Sequence, residues 1–288
     1  MPFFIRIFIV VSFGLYALSL AQAQDWVEIP GRNNIRLKAQ MFKPAGPGPF
    51  PAVIALHGCG GLSNTRGVIN PRHADWAERL QSAGFIAIFP ESFSSRGLGS
   101  QCNVRDRDVR SKDRAYDAFA TAEWLASRPD VDRHRIGLLG WSNGGTSVLS
   151  ASRTIRAPKG VEFRQAVAFY PGCKAMAEED FRARIPLTIL HGLADDWTVP
   201  EPCRSLSGVR FIGYDGAHHD FDPADTDAQG RVLEERQRHC HDRYASGGTR
   251  RCHPPGDGDF QGDVALFGSD FIGPKKPITS ASFPAADS

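Results

Sequence analysis

Residues 138–145 read Leu138-Leu139-Gly140-Trp141-Ser142-Asn143-Gly144-Gly145, a G-x-S-x-G pattern with one further glycine. The apolar run 135–139 before it suits a buried strand, and residues 146–152 are small, with apolar positions spaced for a helix packed close to a sheet. A strand can turn this sharply into a helix only where bulky side chains are absent. Gly140 and Gly144 make that room, which leaves Ser142 at the tip of a strained turn with its Oγ exposed. A chain with 29 glycines can show the pattern by chance. What decides is whether an acid, a histidine and an oxyanion-binding loop follow in order.

The surrounding chain alternates apolar runs with helical patterns. Residues 26–30 and 35–42 read as an opening antiparallel pair joined by Gly31-Arg32-Asn33-Asn34. Continuous apolar runs at 51–56, 85–89, 165–170, 186–190 and 209–214 read as strands buried on both faces. Helices are predicted at 74–83, closed by Gly84, at 108–127, stopped by Pro129, and at 226–244. Residues 44–49 form a proline-glycine loop, and the tail from 254 is rich in Gly, Pro, Asp and Ser. Strands alternating with helices imply an α/β architecture: a mainly parallel sheet with right-handed crossovers, in three α/β/α layers.

The 288 residues are 41% hydrophobic, enough for one large domain, here placed at 24–253. A net charge of +2 with scattered basic residues argues against nucleic acid or an anionic membrane as partner. Residues 1–23 carry one charge, Arg6, an apolar stretch over 7–20 and an A-x-A site at Ala21-Gln22-Ala23. They read as a secretory signal peptide, too short for a stable anchor. A secreted or periplasmic monomer without a membrane segment is expected after cleavage. Six cysteines in such a chain suggest disulfides. Cys59 and Cys102 lie in loops after neighbouring strands, as do Cys173 and Cys203, so the expected pairs are Cys59–Cys102, Cys173–Cys203 and Cys240–Cys252.

Five chemically loaded segments sit just after predicted strands, at 57–61, 91–103, 140–145, 191–196 and 215–221. In an open parallel sheet, sites form outside the carboxyl ends of the strands, so these segments converge. Their order, Ser, then Asp, then His, is that of the α/β-hydrolases. A serine hydroxyl needs a base to take its proton during attack, and His219 fits. An acid must hold the imidazole tautomer, and Asp195 or Asp196 fits. A developing oxyanion needs fixed donors, for which the backbone N–H groups of Asn143 and Cys59 are the candidates. No cofactor or metal is required.

On these residues the chain resembles the dienelactone hydrolase family of α/β-hydrolases. The matching segments are Leu56-His57-Gly58-Cys59-Gly60-Gly61, Gly140-Trp141-Ser142-Asn143-Gly144-Gly145, Tyr170-Pro171-Gly172-Cys173, Gly192-Leu193-Ala194-Asp195-Asp196-Trp197-Thr198-Val199-Pro200 and Tyr214-Asp215-Gly216-Ala217-His218-His219-Asp220-Phe221. The resemblance spans about residues 26–225 and implies hydrolysis of a small-molecule ester or lactone. Its histidine spacing selects His219 over His218, and its Gly192-x-x-Asp spacing selects Asp195 over Asp196, which would then cap backbone N–H groups near Thr198. One departure matters: the family's namesake enzymes use a cysteine nucleophile, and this chain has Ser142, which favours a more general serine esterase.

Other readings fit the residues less well. A serine peptidase of the neighbouring prolyl oligopeptidase-like group lacks a gating domain here. A binding protein on an inactive scaffold would not need the full Ser, Asp and His set. His218, His219, Asp220 and Asp222 together read less simply as metal ligands than as a hydrolase histidine segment. His239-Cys240-His241 with Cys252-His253 matches no usual zinc spacing. His57 reads as a structural residue, bonding to loop backbone. Trp141 and Trp197 flank the expected site and either shape an acyl pocket or pack in the core.

Overall fold

The computed structural model describes residues 24–153, 162–222 and 267. The predicted helix 226–244, the Cys240–Cys252 pair, the candidate signal peptide and most of the tail lie outside them.

Strands β1 (Gln24–Pro30) and β2 (Arg36–Phe42) form the opening antiparallel pair. Then come β3 (Phe50–Leu56), α1 (Pro71–Ser82), β4 (Ile86–Pro90), α2 (Ser111–Ala126) and β5 (Val131–Trp141). The second half holds α3 (Asn143–Arg153), β6 (Ala166–Phe169), α4 (Lys174–Glu178), β7 (Arg182–Gly192), α5 (Glu201–Arg204) and β8 (Ser207–Tyr214). The eight strands lie in the order β1-β2-β4-β3-β5-β6-β7-β8. β2 runs antiparallel to β4, and every pair from β4 to β8 is parallel.

The central strands are apolar throughout because both faces are covered. Along β3, Ala52, Ile54 and Leu56 face one hydrophobic cluster with Ala115, Ala118 and Leu125 of α2 and Val148 and Leu149 of α3. Val53 and Ala55 face the other, with Trp76, Ala77 and Leu80 of α1. The alternation follows from the two-residue period of a strand, and it yields the three layers.

Helix starts depart slightly from the sequence pattern. α1 begins at Pro71, whose missing N–H costs nothing in a first turn, with Asn70 Oδ1 capping the N–H of Arg72 at 3.1 Å. α2 begins at Ser111 rather than 108, where Asp113 Oδ2 accepts from the N–H of Arg110 at 2.9 Å. The short helices α4 and α5, five and four residues long, carry too little periodicity to be read from sequence.

Candidate active site

β5 ends at Trp141 and α3 starts at Asn143, so Ser142 alone makes the turn. Its φ is +52°, a conformation uncommon for a residue with a side chain. The turn survives because its neighbours leave no alternative. A Cβ on Gly140 would come within 2.5 Å of the carbonyl of Gly144, and one on Gly144 would fall on the carbonyl of Leu56. The N–H of Ser142 donates to Phe169 O at 3.0 Å, which ties the turn to β6.

Three side chains meet at the carboxyl ends of the strands. His219 Nε2 lies 3.0 Å from Ser142 Oγ. His219 Nδ1 lies 2.7 Å from Asp195 Oδ2. Asp195 is 3% exposed and its carboxylate is fully engaged. Oδ1 accepts from the N–H groups of Trp197 and Thr198, both at 2.9 Å, and Oδ2 accepts from the Thr198 hydroxyl at 2.8 Å. Burial opposes ionisation of Asp195. The hydrogen bond and charge of His219 and the Thr198 donors outweigh it, so the carboxyl stays below its ordinary range.

Of the adjacent pair, Asp195 points inward and Asp196 is exposed. The capping expected of Asp196 near Thr198 is made by Asp195 itself. The reason is local: once Asp195 turns into the loop, its Oδ1 sits above the next two amides, forming an Asx-type turn. Thr198 gives no cue of its own in the sequence. A Thr three residues beyond an Asp is too common a signal to stand out.

The ring of Tyr170 packs 4.6 Å from that of His219, and Trp197, 44% exposed, packs 4.7 Å from it on the solvent side. Trp141, the other flanking tryptophan, belongs to the core: it is fully buried and stacks on Phe89 and Phe169. Asp222 is buried behind the histidine loop. It accepts from Trp76 Nε1 at 3.1 Å, from Trp141 Nε1 at 2.8 Å and from the Tyr170 hydroxyl. Arg72 Nε lies 3.2 Å away. The same carboxylate, a candidate metal ligand in the sequence, is therefore filled by two indole donors and a phenol and paired with a guanidinium.

Gly58 follows the end of β3, and a Cβ there would lie 3.9 Å from Ser142 Cβ, so the 57–61 loop borders the serine. Asn143 opens α3, so its N–H is one of the four that a helix leaves unbonded. Cys59 is disulfide-bonded to Cys102, and Cys59 O accepts from the N–H of Gln101 at 2.8 Å, so the 91–103 loop braces the glycine loop. Cys173–Cys203, the second expected pair among the described residues, is also formed. His57 is buried, its Nδ1 donating to Gly58 O at 2.8 Å and its Nε2 3.1 Å from Glu91 Oε1. Glu91 also accepts from the N–H of Leu62 at 3.0 Å. Burial raises its carboxyl pKa, but the His57 bond and charge and the backbone donors bring it down to about 2.

A cavity of about 910 Å³ opens beyond Gly60 and Gly61, between β1–β2 and residues 93–100. None of Ser142, Asp195 and His219 lines it, so the cavity alone does not say where an acyl group would sit.

The model of the dienelactone hydrolase family matches residues 37–229, more than half of the chain. A probable 2-oxo-3-(5-oxofuran-2-ylidene)propanoate lactonase of Bradyrhizobium sp is 29% identical over 173 residues, 57% of this chain. A putative carboxymethylenebutenolidase of Synechocystis sp. is 25% identical over 130 residues, 41% of this chain. The chain spans 63% and 49% of the lengths of these two curated relatives. Among solved structures, a putative dienelactone hydrolase from Klebsiella pneumoniae superposes with a TM-score of 0.57 at 19% identity, over 77% of this chain and 98% of that one. An esterase from Thermogutta terrifontis gives 0.53 at 17% identity, over 78% and 95%. These two show the shared fold.

Proposed function

The chain belongs to the dienelactone hydrolase family of hydrolases, and we propose that it is an exported serine hydrolase that cleaves carboxylic esters or lactones through an acyl-enzyme. The observation that carries this is the unbroken chain of contacts from Ser142 Oγ through His219 to Asp195, at 3.0 and 2.7 Å.

In this reading Ser142 Oγ attacks the carbonyl carbon while His219 Nε2 takes its proton. The carbonyl oxygen becomes an oxyanion facing the N–H groups of Cys59 and Asn143. His219 then protonates the leaving alcohol, or the ring-opened oxygen of a lactone. A water, deprotonated by His219, releases the acyl group in a second round. Asp195 holds Nδ1–H and stabilises the imidazolium. It stays an acceptor because three other donors keep its carboxylate ionised.

The relatives' names support a lactone or ester substrate, and Ser142 in place of cysteine supports a broader ester range. Two disulfides among the described residues and the apolar N-terminal stretch support export. The domain is proposed to occupy residues 24–253. The test has two parts. Fluorophosphonate labelling followed by peptide mapping should modify Ser142 alone. A panel of p-nitrophenyl esters, aryl lactones and dipeptide amides should show turnover of the oxygen esters. Turnover confined to amides would overturn the esterase reading.

A further inference from the structure

Helix α2 places Arg114, 0% exposed, behind the elbow. Its Nη1 donates to Asn143 Oδ1 at 2.6 Å, and its Nη2 donates to the carbonyl of His57 at 2.7 Å. One guanidinium therefore joins the residue after Ser142 to the loop that leads into Cys59. These are the two segments that carry the proposed oxyanion donors.

The cost of this placement is large. Burial pushes the guanidinium pKa down to about 10, against the opposing pull of Asp117 and Glu91. Asp117, the carboxylate that pulls on it most, is itself gripped by both terminal nitrogens of Arg96, at 2.9 and 2.8 Å. Nε of Arg114 is buried without a hydrogen-bond partner, and the guanidinium lies over the Phe93 ring at 5.0 Å. A buried arginine contacting only neutral acceptors and a ring is a poor stabiliser of a fold. It is well suited to fixing two backbone segments at one separation, since its planar fork has a fixed span.

We propose that Arg114 is the positioning residue of the oxyanion site, setting the separation of the Cys59 and Asn143 amides through His57 O and Asn143 Oδ1. The proposal rests on the serine-hydrolase reading above.

The experiment compares wild type with Arg114→Lys, Arg114→Met, Asn143→Ala and the Arg114→Lys/Asn143→Ala pair. Each is assayed for kcat and KM on a p-nitrophenyl ester and for inhibition by an alkylboronic acid, whose tetrahedral serine adduct mimics the oxyanion. Lysine keeps the charge but has no fork to span both acceptors. The expected result for Arg114→Lys is a fall in kcat of about 10- to 100-fold, less than the loss of a whole oxyanion donor. KM should stay within about 3-fold, and boronate affinity should fall by the same factor as kcat. The pair should lose less than the product of its single changes, because both cut one contact. A purely structural role would lower Tm and leave boronate affinity untouched. Folded Arg114→Lys with wild-type kcat and boronate affinity would overturn the proposal, as would additive losses in the pair. If Arg114→Met fails to fold, the lysine and alanine variants still decide. Wild type inert to fluorophosphonate would instead sink the serine-nucleophile reading beneath it.

Discussion

The carboxylate of Asp222 accepts a hydrogen bond at 2.8 Å from the indole N–H of Trp141. Asp222 lies three residues after His219, and Trp141 lies just before Ser142. The bond therefore links the histidine loop to the elbow through the core. Arg72, whose guanidinium is held protonated chiefly by Asp222, with Asp220, against its burial, closes the same cluster. Replacing Asp222 with alanine leaves two indole N–H groups and a phenol without their acceptor and takes from Arg72 one of its two carboxylate partners, the other being Asp220. The expected loss is about 3–5 kcal/mol in urea unfolding. Activity in the residual folded fraction should fall as well, because the loop bearing His219 loses its anchor. A change under about 1 kcal/mol would contradict this role.

Ser142 carries strain and, in the proposed mechanism, the nucleophile. Ser142→Ala should lower ester kcat by about 10⁴ to 10⁶ with the fold intact. Ser142→Gly should be equally inactive yet more stable than Ser142→Ala by about 1 kcal/mol, because glycine accepts φ of +52° without a Cβ penalty. Thermal unfolding of the two variants side by side reads the difference.

The adjacent acids should separate cleanly. Asp195→Asn keeps the shape but cannot hold the imidazole tautomer, and kcat should drop by about 10² to 10⁴. Asp196→Asn, at an exposed position, should change kcat by less than about 3-fold. Steady-state kinetics on one ester settles it, and a crippled Asp196→Asn with a mild Asp195→Asn would reverse the assignment.

Opening Cys59–Cys102 should impair catalysis before it unfolds the sheet. The bridge braces the glycine loop from outside the core, between residues 43 apart. The paired Cys59→Ser/Cys102→Ser variant should lose about 2–4 kcal/mol of stability and show a lower kcat at temperatures where circular dichroism is still native. Unaltered kcat in that variant would show that the loop holds its shape alone.

Acid should destabilise the protein in two stages. His73 is buried, and burial, with Arg72 and His57 nearby, pushes its pKa down from 6.5 to about 3. Between those values the unfolded chain binds a proton that the folded one refuses. Stability is therefore full above pH 6.5 and falls by up to about 1.4 kcal/mol per pH unit toward pH 3. Glu91, brought from 4.5 down to about 2, adds a second loss as pH falls between those values. Urea midpoints at pH 7, 5.5 and 4 should show the first stage in wild type and a flatter curve in His73→Gln.

Much of the site was legible in the chain because its parts obey local rules. Glycines at 140 and 144 are needed wherever a strand turns at once into a close-packed helix. Apolar runs announce strands covered on both faces, and the ends of parallel strands lie at one edge. So Ser142, His219 and the two disulfide pairs could be placed together from order and spacing. The choice between Asp195 and Asp196 could not be made from the residues alone, since neighbours in a loop differ only in which way each turns. In the tertiary fold Asp195 meets His219 and three further donors, while Asp196 is exposed. Arg114 and Asp222 were beyond reach for the same reason. Each draws its meaning from partners 29 to 146 positions away, such as Asn143 and Trp76. Local periodicity and turn chemistry determine which segments form and which edge they share. Which polar groups meet inside is decided by long-range packing, where a buried donor must find its acceptor or the fold loses free energy.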